Sequence, residues 1–219
     1  MKKLKARARP IDQSALRQPT QSRSRESTEA LLEIGRRLIE QRGVDECSMN
    51  EVAAAAGSSV GALYFRFGNK ERFVSEVMRR QVDETAKQIT TLLAEIDAKA
   101  TSPSDVIEAT INWFVLEFSK NKGLLRAQIR RALDNPQEWQ PFQKIGRDFV
   151  DGAIAIIGRF PEYRQDDKWQ RSVRIAMQMV LGTLNNIVIN RPGPLDLSDN
   201  ATSQELFRAA TRYLGWRSA

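Results

Sequence analysis

The chain has no histidine, a single cysteine in 219 residues, and no run approaching the roughly 18 consecutive apolar residues of a membrane span. Without histidine, the commonest transition-metal ligand and the commonest general base are missing, which excludes zinc sites, Ser-His-Asp triads and Cys-His pairs. Cys47 alone rules out an intrachain disulfide and leaves either a small buried hydrophobe or a thiol that pairs between molecules. No carboxylate pair, glycine-rich phosphate loop or nucleophile constellation stands out, so neither an enzyme nor a bound metal or cofactor is expected. No stretch sustains the period-two alternation of a half-buried strand. The basic N-terminus is not followed by the apolar segment of a secretory signal, so a cytoplasmic protein with no membrane partner is expected.

Charge is present, and unevenly. Residues 1–25 carry Lys2, Lys3, Lys5, Arg7, Arg9, Arg17, Arg23 and Arg25 against Asp12 alone, so the whole net charge of +7 sits there. With Pro10, Pro19 and many polar residues, positions 1–24 read as a flexible basic arm. Such an arm fits a solvated tail, a transit-like leader or a segment that tracks a phosphate backbone.

Helical periodicity runs through the rest. Leu31, Ile34 and Leu38 recur three to four apart between Ser27 and Gln41, and Gly43 follows where a helix ends. Ser48 and Glu51 have the spacing of a capping box that opens a second, two-turn helix through Val52 to Ala56. Gly57 supplies a tight turn, and Ser59 can cap a third short helix through Leu63 and Tyr64. Two short helices joined by a glycine-containing turn make a helix-turn-helix. Val52, Ala53, Ala56, Leu63 and Phe67 are its expected packing residues. Ser58, Ser59, Val60, Gly61, Ala62, Tyr64 and Phe65 are left facing outward, small residues first and aromatics after. A helix that enters the DNA major groove by its N-terminal end needs little bulk there.

Asn69 caps a long helix, and five further helices follow, punctuated by Ser102-Pro103, Asn135-Pro136, Pro161 and Pro192. The chain therefore reads as all-α with about nine helices. It comprises the arm over 1–24, a three-helix unit over 25–72 and a helical domain over 73–219.

The stretch SMNEVAAAAGSSVGALYFRFGNKERF closely resembles the helix-turn-helix signature of TetR-family transcriptional regulators, and STEALLEIGRRLIEQRG resembles their first helix. The resemblance implies that Ser48 touches a phosphate, that Ser59, Gly61 and Ala62 meet the groove, and that Tyr64 donates its hydroxyl to a phosphate. It also implies a phosphate contact for Lys70 at the start of the long helix, and for Arg23 and Arg25 ahead of the first. Two positions depart from the pattern. Ser58 stands where valine is common, and Phe65 where histidine is common, and phenylalanine cannot hydrogen-bond a phosphate. Val60 is expected to touch a thymine methyl and so to favour A·T pairs.

The family implies a homodimer on double-stranded operator DNA, paired through the last two helices of each protomer. The segment Trp169–Ile189 is apolar on more than one face, and Gly182 permits close approach. Met179, Gly182, Asn186, Leu206, Ala210 and Tyr213 are the interface candidates. The family further implies a small organic effector in the C-terminal domain that releases the protein, a repressor, from its operator. Trp113, Phe114, Phe118, Trp139, Phe149 and Met177 suit an apolar pocket, although an aromatic stripe at helical spacing is equally ordinary core. Asn112, Gln178 and Asn185 are polar residues able to orient a ligand. The alternatives are a DNA-binding regulator controlled by abundance or a protein partner, and an enzyme using the C-terminal cavity.

Overall fold

The computed structural model describes the backbone of residues 13–163 and 168–216, and within these the side chains from Ser24 onward. Nine α-helices and no strand are found among the described residues. They are α1 (Gln13–Arg42), α2 (Met49–Ala55), α3 (Val60–Phe67), α4 (Lys70–Lys99), α5 (Pro103–Lys120), α6 (Lys122–Asp134), α7 (Gln140–Ile157), α8 (Lys168–Asn190) and α9 (Ala201–Leu214). Two short 3-10 turns, Pro136–Trp139 and Pro161–Tyr163, lead into and out of α7.

Helix starts follow the polar caps. Ser59 Oγ accepts from Ala62 N at 3.1 Å, and Asn69 Oδ1 accepts from Arg72 N at 2.8 Å. Ser102 and Asp105 close a reciprocal capping box at α5, with Pro103 in its first turn. The capping box expected at α2 forms by half. Ser48 Oγ accepts from Glu51 N at 3.1 Å, but the Glu51 carboxylate meets Arg42 Nη2 at 2.6 Å, tying α2 to the end of α1. A full charge beside the carboxylate outcompetes a neutral backbone donor.

The largest correction is at the N-terminus. The first helix begins at Gln13 rather than near Ser27, so half of the expected flexible arm is helical. Ala15, Leu16, Arg17 and Gln18 are good helix formers and no glycine interrupts 13–34, while Pro19 removes one backbone donor within the helix. The other half, residues 1–12, lies outside the described residues.

Burial falls into two clusters. Leu31, Ile39, Val52, Leu63 and Phe67 gather around Phe73 and Val74 at the start of α4. Ile89 and Ile96, further along α4, join Ile107, Phe114, Phe149, Met177 and Leu184 in the second cluster. Helix α4 therefore belongs to both. Helix α6 is a second tie, since its Leu124 and Ala127 complete the first cluster. At that junction the backbones nearly touch: a Cβ added to Gly123 would lie 2.1 Å from the carbonyl oxygen of Glu40.

Candidate functional site

The helix-turn-helix is built as its sequence order demands. Gly57 takes φ +60°, a left-handed conformation that other residues resist, and turns the chain between α2 and α3. Val52 and Ala53 on α2 and Leu63 and Phe67 on α3 are buried, so the two helices lock by one face each. The opposite face of α3 is open. Ser59, Gly61, Ala62 and Tyr64 are exposed there, Ser58 and Val60 are half-buried, and Val60 packs against the small core. Phe65 is 95% exposed, which leaves a whole benzyl group without protein cover.

Polar groups frame this face. The Ser48 and Ser59 oxygens serve their helix caps, while their hydroxyl hydrogens stay available. Lys70 Nζ donates to the carbonyl of Asp45 at 3.1 Å, which holds the ammonium near the start of α2 with two donors remaining. Arg25 is exposed on α1, and Arg66 Nη1 reaches across to Ser27 Oγ at 3.2 Å. Arg23 lies outside the described side chains. Cys47 is buried beneath this unit, and burial pushes its thiol up, away from the reactive thiolate.

The second feature is a cavity of about 640 Å³, open to solvent on one side and lined by α4, α5, α6, α7, α8 and the turn before α7. Of the six apolar residues expected at a pocket, Trp113, Phe114, Phe118, Trp139 and Met177 line it. Phe149 does not; it is fully buried behind the wall, with Trp113 and Phe114 packed on it at ring-centre distances of 4.9 and 5.0 Å. Gln178 and Asn185 line the cavity, whereas Asn112 faces solvent elsewhere.

Sequence reasoning missed the polar end. Glu117 of α5 is half-buried in the cavity wall, and its Oε1 is met by Asn121 Nδ2 at 2.7 Å, Thr85 Oγ1 at 3.3 Å and Gln81 Nε2 at 3.5 Å. Burial raises the Glu117 pKa from its ordinary value, against the Thr85 hydrogen bond and the weaker fields of Lys120 and Arg36. The signal was present in part, because Glu117 lies four residues after Trp113 and so shares its face of α5. Its partners from α4 carried no such clue.

From Glu117 a chain of contacts leads toward α1. Asn121 ends α5 and starts α6, and the first free backbone donors of α6, Gly123 N and Leu124 N, bond the Glu40 carboxylate at 2.8 and 2.9 Å. An anion at a helix N-terminus satisfies orphan N–H groups and meets the favourable end of the helix dipole.

The family profile described as bacterial regulatory proteins, tetR family, matches residues 31–77. Those residues are the helix-turn-helix core and its joint with α4. Over residues 31–77 the chain is thus similar to the DNA-binding region of TetR-family regulators. Over 58 residues it is 36% identical to the HTH-type transcriptional regulator AcrR of Shigella flexneri, covering 26% of this chain and 27% of that protein. Over 83 residues it is 34% identical to the HTH-type transcriptional repressor KstR2 of Rhodococcus jostii, covering 37% and 40%. These matches thus span well under half of either relative. Likeness of fold runs further: a TetR-family regulator from Mesorhizobium loti superposes with TM-score 0.68 at 18% identity, over 88% of this chain and 95% of that one. FadR of Bacillus subtilis, in complex with stearoyl-CoA, does so with TM-score 0.59 at 17% identity, over 83% and 96%.

On α8 and α9 the interface candidates divide. Met179 and Tyr213 are each 46% exposed, Gly182 and Asn186 are exposed, and all stand on the outer faces of α8 and α9. Leu206 and Ala210 are only 5% and 2% exposed and pack inward, so they are unavailable to a partner. The apolar stripe of α9 is consumed by its own protomer, where it packs on α5 and α8. Helix α8 has the length and mean hydropathy of a membrane span, yet 39% of that window is buried inside the protein.

Proposed function

We propose that the protein is a sequence-specific DNA-binding transcriptional regulator, a cytoplasmic homodimer that represses until a small organic effector enters the cavity of each protomer. The observation that carries the reading is the open face of α3. Small residues at its N-terminal end permit close approach to base edges, while Tyr64, Ser48 and Lys70 flank it with donors for phosphates. Arg25 adds a cation from α1, Arg23 is retained only as the contact that the family resemblance implies, and Phe65 and Val60 offer apolar contact where a thymine methyl would lie. Ser58 stands at the turn as a minor contact.

One such unit has little surface for tight recognition, so two protomers joined through Met179, Gly182, Asn186 and Tyr213 would address two half-sites. Effector response is supported by the cavity and by its connection to α1 through Glu117, Asn121, the start of α6 and Glu40. A molecule that favours a different position of α6 shifts the population toward heads that no longer fit the operator, and DNA must weaken effector binding in return. FadR of Bacillus subtilis, similar in fold, holds stearoyl-CoA, which lends weight to an organic ligand here.

Salt-dependent binding to duplex DNA tests the reading. Affinity is expected to fall steeply as salt rises, and Lys70→Ala is expected to reduce the slope by about one. Binding insensitive to salt, or a slope unchanged by that substitution, would contradict the proposed face.

A further inference from the structure

The cavity makes a specific chemical demand. Its walls are apolar and aromatic, with Trp113, Phe114 and Phe118 on α5 and the stacked pair Trp139 and Phe142, 5.5 Å apart, at the entry to α7. The charges that line it are unequal in their satisfaction. Arg174 is paired with Asp151 at 2.8 Å, and Arg147 is exposed to water. Glu117 is different: it is half-buried, its hydrogen bonds converge on Oε1, and no cation lies within ion-pair distance of it among the described residues. A second group has a different deficit. Asn185 Oδ1 lines the cavity, is buried, and receives no hydrogen bond.

Both groups are acceptors, one an anion without a paired cation and the other a buried oxygen without a donor. We propose that the effector is an apolar, aromatic molecule bearing a protonated amine, with its ammonium received by Glu117 Oε2 and its ring system held among Trp113, Phe118 and Trp139. A partly desolvated carboxylate without a cation is costly, and a ligand that brings the missing charge and N–H donors relieves that cost. Aromatic faces beside the carboxylate add cation–π attraction. A volume of about 640 Å³ accommodates a drug-sized molecule. An anionic ligand would set its charge against Glu117, and its one uncommitted counter-charge, Arg147, is already solvated. The proposal rests on the reading of this cavity as an effector site and names the class of molecule it selects.

Three probes that share one ring system decide it: 1-naphthylmethylamine, 1-naphthylmethanol and 1-naphthylacetate, titrated calorimetrically into the full-length protein at neutral pH. The amine is expected to bind about tenfold or more tighter than the alcohol, with the carboxylate weakest. In Glu117→Gln the amine is expected to fall to the level of the alcohol. Equal affinities, a preference for the alcohol or the carboxylate, an amine preference that survives Glu117→Gln, or no binding by any probe would overturn the proposal. The same titrations with duplex DNA present separate the two claims. Amine preference without any change in DNA affinity would keep the cation site and contradict effector control, whereas DNA release by all three probes alike would keep effector control and contradict the cation site.

Discussion

Phe65 and Glu117 are both poorly matched to their surroundings, and both sit at the places where the protein is proposed to meet something else. A benzyl group that is 95% exposed gains nothing from folding. Phe65→Ala is therefore expected to change stability by no more than about 0.5 kcal/mol while weakening binding to the protein's own operator several-fold. Thermal melting and fluorescence anisotropy together check this, and a large loss of stability would mean that Phe65 is a packing residue. Glu117 is a carboxylate whose folded pKa is raised by burial. Between the usual carboxylate value and the raised one, the folded state holds more protons than the unfolded state, so stability falls as pH rises through that window. The penalty is fully present above it. Glu117→Gln is accordingly expected to be more stable than the parent at pH 7, with the difference vanishing under acid, as denaturant melts at several pH values would reveal.

At the scale of elements, α6 touches both halves of the molecule, as α4 does. Its N-terminus is held by the Glu40 carboxylate, and its Gly123 permits a contact that no other residue allows, because a Cβ would enter the Glu40 carbonyl. Gly123→Ala is expected to cost about 1–3 kcal/mol, read by chemical denaturation, through a forced separation of α1 and α6. A neutral result would mean that the junction yields freely and transmits little. Much of the element level was legible in the sequence. The caps at Ser59, Asn69 and Ser102, the turn at Gly57 and the apolar stripes are local signals, and they define their helices wherever the chain goes next. What was illegible depends on distant partners. The Glu40 contact joins residues 83 and 84 positions apart, and the inward turn of Leu206 and Ala210 depends on where α5 and α8 happen to lie. Glu117 carried half a signal, its position on the aromatic face of α5, and needed Thr85 and Gln81 from α4 to become a site.

At the scale of the molecule, the two buried clusters, the shared helix α4 and the open faces of α3, α8 and α9 fit a pair of DNA-reading heads carried on a sensing body. The outer face of α8 and α9 is the proposed joint between protomers, and Met179 stands on it. Met179→Glu is expected to yield a monomer by sedimentation velocity, since two carboxylates brought together in an apolar interface repel and lose their water. The most direct measurement of the central claim is selection of bound duplexes from a random pool by the full-length protein. The account predicts enrichment of a two-fold symmetric sequence whose half-sites lie about one helical turn, or a multiple of it, apart. Recovery of sequences no different from the starting pool would contradict it.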